Sequence, residues 1–199
     1  MTFRVSSLLR YCAFTLSLLL LTSIVSAEVL IWDFTADEQQ VRNGPEADGS
    51  TNSPGTGTGR LEYDFDTNIL SYEITWDQLF GEMTRLHIHG AADENTSTPR
   101  HVVELLGPPA IPPELATTSG SLSGSFVVET LIQDGFDPIP ASEIIDTLVS
   151  GDAYVNFHTT VFGTGEIRGN VGIPVPEPSS TLLSLMSVIG LAALRKRVR

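Results

Sequence analysis

Between residues 28 and 173, apolar side chains recur at every second position rather than every third or fourth, which is the mark of half-buried strands. In "GRLEYDFDTN" Leu61, Tyr63 and Phe65 alternate with Glu62, Asp64 and Asp66, and in "ILSYEITW" Leu70, Tyr72, Ile74 and Trp76 alternate with Ser71, Glu73 and Thr75. Asp66, Thr67 and Asn68 lie between the two runs, which therefore predict a hairpin. "VLIWDFTAD" upstream, and "TRLHIHG", "HVVELL", "SGSLSGSFVVET", "AYVNFHTTVF" and "GEIRGNV" downstream, add further short strands separated by Gly, Pro, Asn and Asp. The expected fold is all-β, an antiparallel sandwich or barrel of about eight strands.

One helix interrupts this period. In "PASEIIDTLVSGDAY" Ile144, Ile145 and Leu148 form an apolar stripe, Ser142 is placed to cap the N-terminus, and Gly151 sits where a glycine stop belongs. The pattern predicts a helix over 142–149 that plugs one end of the sandwich. Two breaker-rich loops, 44–59 and 107–120, have strands on both sides and are read as insertions within one domain. The chain carries no internal repeat, no phosphate-cradling glycine loop and no Gly-x-Ser-x-Gly nucleophile elbow.

The candidate chemistry sits in the later strands. His87 and His89 flank Ile88, so on a strand both imidazoles emerge on one side while Leu86 and Ile88 point to the other. In the last hairpin Tyr154, Asn156, His158 and Thr160 share one face, opposite Ala153, Val155, Phe157 and Val161. With a loop at 162–164, Thr160 is expected opposite Glu166 and His158 opposite Arg168, with Ile167 on the apolar pleat. Two readings follow. In the preferred one, His87, His89, Asn156, His158, Glu166 and Arg168 form a polar-face network of cross-strand hydrogen bonds and no cofactor is expected. In the alternative, His87, His89 and His158 bind zinc or copper, since an i, i+2 pair of imidazoles can converge on one ion. Arg168 argues against a metal by its fixed charge, and His101 lies apart beside a proline-containing loop. The acidic run at 92–95 lacks the spacing of a calcium loop.

The chain ends differ from the body. Residues 1–27 combine Arg4 and Arg10, an apolar run from Tyr11 to Val25 and a small-residue exit at Val25, Ser26 and Ala27, so they read as a cleaved secretory signal. The single cysteine, Cys12, falls inside it, which leaves the mature protein without a disulfide. Residues 174–199 hold Pro176, Glu177 and Pro178, an apolar stretch from Thr181 to Leu194, and then Arg195, Lys196, Arg197 and Arg199. The basic cluster belongs on the cytoplasmic side, and the apolar stretch is a short span for a hydrocarbon core of about 30 Å. In the body from 28 to 173, five arginines face twenty-three acids and lysine is absent, a formal balance of −18. Nucleic acid and anionic lipid are therefore disfavoured as partners, while divalent cations or a basic partner are compatible.

Two resemblances sharpen these expectations. The tail is similar to the PEP-CTERM sorting signal of Gram-negative bacteria, which implies an exosortase-type protease and the export machinery as partners, with cleavage near Pro176–Pro178. The segments "LHIHGAA", "SGDAYVNFHT" and "GTGEIRGNV", with the helix between the first two, resemble the CHRD domain, and the likeness extends over about residues 30–172. It implies an extracellular, immunoglobulin-like sandwich; animal members take part in binding growth factors, and bacterial ones have no generally established activity. The expected protein is exported and non-enzymatic, placed in the cell envelope, at the outer surface or in the matrix, where it binds a polysaccharide or surface protein or builds structure. The alternative is a zinc or copper protein outside the cytoplasm, redox-active or hydrolytic. Circular dichroism of the body should show strand with little helix; a helix-dominated spectrum would contradict the two-residue period.

Overall fold

The computed structural model describes residues 29–107, 111–132 and 136–176. The signal segment lies outside these residues, as does the tail beyond Pro176, with Glu177, Pro178, Arg195, Lys196 and Arg197. Among the described residues no helix is long and apolar enough to cross a membrane.

Alternation along β1 (Val29–Ala36), β2 (Thr56–Asp64) and β3 (Ile69–Asp77) sends Leu30, Trp32, Phe34, Leu61, Tyr63, Leu70, Ile74 and Trp76 to one side, where they are buried. The next strands are β4 (Met83–His89), β5 (His101–Leu106) and β6 (Gly120–Val127). After them come α1 (Ala141–Ser150), β7 (Ala153–Thr159), β8 (Ile167–Val171) and the two-residue β9 (Val175–Pro176). Among the described residues these strands make two antiparallel sheets, ordered β6-β3-β2-β1-β9 and β5-β4-β7-β8. Neither closes on itself, so of sandwich and barrel the fold is the sandwich. Its second sheet contributes Leu86, Ile88, Val102, Val155, Phe157, Ile167 and Val171 to the shared core.

The sheets meet along one seam. The amide of Asp37 donates to Arg168 O, and the amide of Arg168 donates to Asp37 O, both at 3.1 Å. The Phe34 ring fills this corner. A Cβ built on Gly59 would fall 2.1 Å from that ring and one on Gly169 would fall 2.5 Å from it, so both positions need glycine for close approach.

Three expectations change on contact with the structure. Phe65 leaves the apolar face of its strand and joins the turn before β3, 47% exposed and edge-on to Tyr63. That turn is fixed by Asp64 Oδ1, which accepts from the amides of Asp66 and Thr67, and by Asn68 at φ 55°. The helix begins at Ala141, so its cap position is Pro140 rather than Ser142. Proline's extended ψ ends the preceding segment one residue early, and no side chain caps the helix. Gly151 does close it, at φ 80°. The indole Nε1–H of Trp32 donates to Leu148 O at 3.2 Å, tying the helix to the core.

The last hairpin is shifted by two residues from the expected register. Asn156, not His158, faces Arg168, and Thr160 lies beyond the end of β7. Phe157 pairs with Ile167 and also accepts from the Glu166 amide, so two residues of one strand oppose one of the other. This bulge follows Gly165 at φ 122° and turns Glu166 away from the histidines. Its carboxylate is fully buried and accepts from Ser53 Oγ at 2.6 Å, Thr159 Oγ1 at 2.8 Å, and the amides of Phe80 and Gly81. Glu166 thus binds two loops to the sheet and takes no part in a histidine network. Glu166→Ala leaves several buried donors without an acceptor and should lower stability by about 3 kcal/mol or more in urea unfolding; a change below about 0.5 kcal/mol, the size of an ordinary surface substitution, would contradict this role.

Candidate functional site

The outer face of the β5-β4-β7-β8 sheet gathers all four histidines of the chain. On β4, Arg85, His87 and His89 project together, and on β7 they meet His158, Asn156 and Tyr154 respectively. β5 adds His101 opposite His89 and Glu104 opposite His87. Strict alternation would put residues 101 and 104 on opposite faces. A register irregularity between Ile88 and His89 brings both to this one. His101 is therefore part of the cluster rather than apart from it.

The rings pack closely. His87 stacks on His101 with centroids 4.3 Å apart and planes at 16°, and lies 5.0 Å from His158 and 5.6 Å from His89. His89 stacks on Tyr154 at 5.1 Å and 8°, and Arg168 covers the Tyr154 ring with Cζ 3.7 Å from its centroid. A cavity of about 360 Å³ opens against the cluster, lined also by Arg85, Asn156 and Thr164.

This face is polar but largely dry. His87 and His89 are each 5% exposed, because the loop 93–99 lies across the sheet. Backbone groups of the loop do the fastening. Arg168 donates to Thr96 O and Asp93 O, Tyr154 Oη donates to Thr98 O, and Thr98 N donates to Tyr154 Oη. The acidic run is used locally, since Asp93 Oδ1 accepts from the Asn95 amide and Thr96 Oγ1.

Two of the imidazoles are fixed by carbonyls. His89 Nδ1 lies 3.0 Å from Thr98 O, and His158 Nδ1 lies 2.9 Å from Gly163 O. A carbonyl only accepts, so each Nδ1 carries the hydrogen and each Nε2 keeps its lone pair. His158 Nε2 sits 3.3 Å from Asn156 Nδ2. Among the described residues, His87 Nε2 and His89 Nε2 are buried without a hydrogen-bond partner. The nearest acid to the former, Glu104 Oε1 at 3.7 Å, is beyond hydrogen-bond reach. Each such orphan costs about 1–3 kcal/mol. One ring nitrogen from each of His87, His89 and His158 falls within 4.8 Å of the others, and so do one ring nitrogen each from His87 and His101 and a carboxylate oxygen of Glu104.

Burial is the main force on their protonation. It pushes His87 down to about 2 and His89 down to about 3, with the neighbouring histidines adding to both shifts. His158 and His101 are lowered for the same first reason, opposed at His158 by the Gly163 carbonyl and at His101 by Glu104. At neutral pH the cluster is uncharged.

Of the six residues expected on one polar face, the structure joins His87, His89, Asn156 and His158. Arg168 shares the face but contacts Asn170, Tyr154 and the 93–96 backbone rather than a histidine, and Glu166 faces elsewhere. His101, Glu104, Arg85 and Tyr154 complete the site and were not singled out by sequence as site residues; the strand "HVVELL" itself was visible, but its irregular register was not.

The fold and site define an antiparallel two-sheet sandwich with a covered imidazole cluster on the outer face of its smaller sheet. The CHRD domain model matches residues 35–171, and the chain belongs to that family. No curated protein and no solved structure matches the chain.

The neutral cluster has a consequence for stability. The unfolded histidines titrate near 6.5, so as pH falls below that value the unfolded state takes up protons that the native state refuses. Native stability should then fall by up to about 1.4 kcal/mol per pH unit for each of His87 and His89, over a window running from 6.5 towards 3. The melting temperature of metal-free protein is expected to drop between pH 6.5 and 5, before most carboxylates titrate, and His89→Gln should flatten the slope. A melting temperature that holds or rises over that interval contradicts the assignment.

Proposed function

We propose that the chain is an exported CHRD-domain protein of a Gram-negative envelope, outer surface or matrix that binds or builds structure and does not turn over a substrate. The observation that supports binding over catalysis is the state of the imidazoles. General acid–base work draws on a group within reach of the substrate, whereas His87 and His89 are each 5% exposed under a fastened loop. A rigid sheet with fixed, uncharged donors suits holding a ligand in place. Matrix polysaccharide or a surface protein is the proposed class of macromolecular partner.

The proposal of export rests on the ends and on charge. Residues 1–27 carry a signal-type pattern, and the body has a formal balance of −18 without lysine, suited to solubility outside the cytoplasm. The tail with Pro176, Glu177 and Pro178 and the Arg195–Arg199 cluster is proposed as a PEP-CTERM signal, anchoring the precursor in the membrane until an exosortase-type protease processes it. Intact-mass spectrometry of protein released from the surface of a host with the matching protease decides the matter. The expected species lacks residues 1–27 and everything beyond the Pro176–Pro178 region. Surface-released protein that retains Arg195–Arg199 would contradict processing, and protein found only in the cytoplasm would contradict export.

A further inference from the structure

We propose that His87, His89 and His158 form a binding site for a single borderline divalent transition-metal ion of the zinc(II) or copper(II) class. The three side chains come from two neighbouring strands, each is buried, and one ring nitrogen of each lies within 4.8 Å of the other two. A tetrahedral ion with metal–nitrogen bonds of about 2.0–2.1 Å needs its ligand nitrogens about 3.4 Å apart. A contraction of up to about 1.4 Å in each spacing, shared among three rings, closes the difference.

Three observations point to a ligand rather than to a closed network. His87 Nε2 and His89 Nε2 are buried and, among the described residues, have no hydrogen-bond partner, and at His89, whose Nδ1 donates to Thr98 O, that nitrogen carries a lone pair without use. His89 and His158 give their other nitrogen to the Thr98 and Gly163 carbonyls, the outer contact that orients a ligating imidazole and fixes its tautomer. The fixed charge that sequence alone set against a metal is turned aside: Arg168 is spent on Thr96 O, Asp93 O and Asn170, with the Tyr154 ring between it and His89. Glu104 supplies a carboxylate at the rim, 3.7 Å from His87 and 3.5 Å from His101, while exposed Arg85 is the cation that the ion must tolerate.

Donor chemistry sets the class. Neutral imidazole nitrogen suits zinc and copper, whereas calcium and magnesium call for a shell of oxygens. The two candidate triads share His87, so they describe one ion in one of two places. Ligation by His87, His89 and His158 is favoured because both residues with an orphaned nitrogen belong to it, with His158 exchanging its 3.3 Å contact to Asn156 for the ion. This assignment stands apart from the export proposal and holds whether or not the tail is processed.

The test uses the purified protein, stripped with a chelator and titrated separately with Zn²⁺ and with Cu²⁺. Bound metal is counted by mass spectrometry, and affinity is measured by competition against a chromophoric chelator. One equivalent of at least one of the two ions is expected, with affinity falling about 100-fold or more in His89→Gln and in His158→Gln and surviving largely intact in His101→Gln. Should a variant fail to fold, Cu²⁺ electron paramagnetic resonance of the wild-type protein reads the ligands directly, and coupling to three imidazole nitrogens is expected. The proposal is overturned if neither ion binds stoichiometrically, if binding survives loss of His89 and His158, if His101→Gln abolishes it, or if the copper spectrum shows fewer than three nitrogens.

Discussion

The sheet formed by β5, β4, β7 and β8 is buried on both faces, and that constraint shapes everything around it. Period-2 alternation commits Leu86, Ile88, Val155 and Phe157 to the core between the sheets. It thereby commits His87, His89, Tyr154, Asn156 and His158 to the other face, where loop 93–99 excludes water. A polar group that loses water without gaining a partner is costly. Much of the required pairing comes from the backbone of the covering segments: the carbonyls of Asp93, Thr96, Thr98, Gly163 and Thr164 each accept from a side chain of this face. Loop and sheet face therefore hold each other. Burial then keeps the imidazoles uncharged, leaving nitrogens with lone pairs and no proton.

The hairpin of β7 and β8 carries a disproportionate share of this order. Phe157 and Ile167 pack inward, Asn156 and His158 face the covered outer surface, and Arg168 makes both the seam with Asp37 and the clamp on loop 93–96. The bulge at Glu166 rotates one carboxylate out of the face that simple alternation assigns it and delivers it to Ser53, Phe80 and Gly81. One irregular residue thus serves a structural task that a regular strand could not perform.

What the sequence made legible follows the same physics. The two-residue period of "ILSYEITW" and "AYVNFHT" is a local signal, and the strands, the sandwich and the paired faces of His87, His89 and His158 all follow from it. Gly151 was readable as a stop because a left-handed residue after an apolar stripe leaves few alternatives. Bulges are different. They depend on pairing between distant segments, so the shift that unites His101 with Glu104, and the one that removes Glu166 from the cluster, leave no local trace beyond Gly165. Burial of the outer face was likewise hidden. A loop of Asp, Glu, Asn, Thr and Ser reads as solvent-facing, and the contacts of Arg168, Tyr154 and His89 show that it lies down on the sheet. That is why a hydrogen-bonded polar rim was the natural expectation and a dry imidazole cluster is what formed.

The central claim is that the outer-face imidazoles are neutral and that His89 and His158 are oriented through Nδ1, which leaves Nε2 of each with a lone pair, met at His158 by Asn156 and unused at His89. Long-range ¹H–¹⁵N correlation of the imidazole rings in metal-free protein addresses it residue by residue. The account predicts that His89 and His158 are protonated at Nδ1 and bare at Nε2, and that His89 remains neutral at pH 5.5. Protonation of these two rings at Nε2 rather than Nδ1, or an imidazolium signal from His89 at pH 5.5, would contradict it.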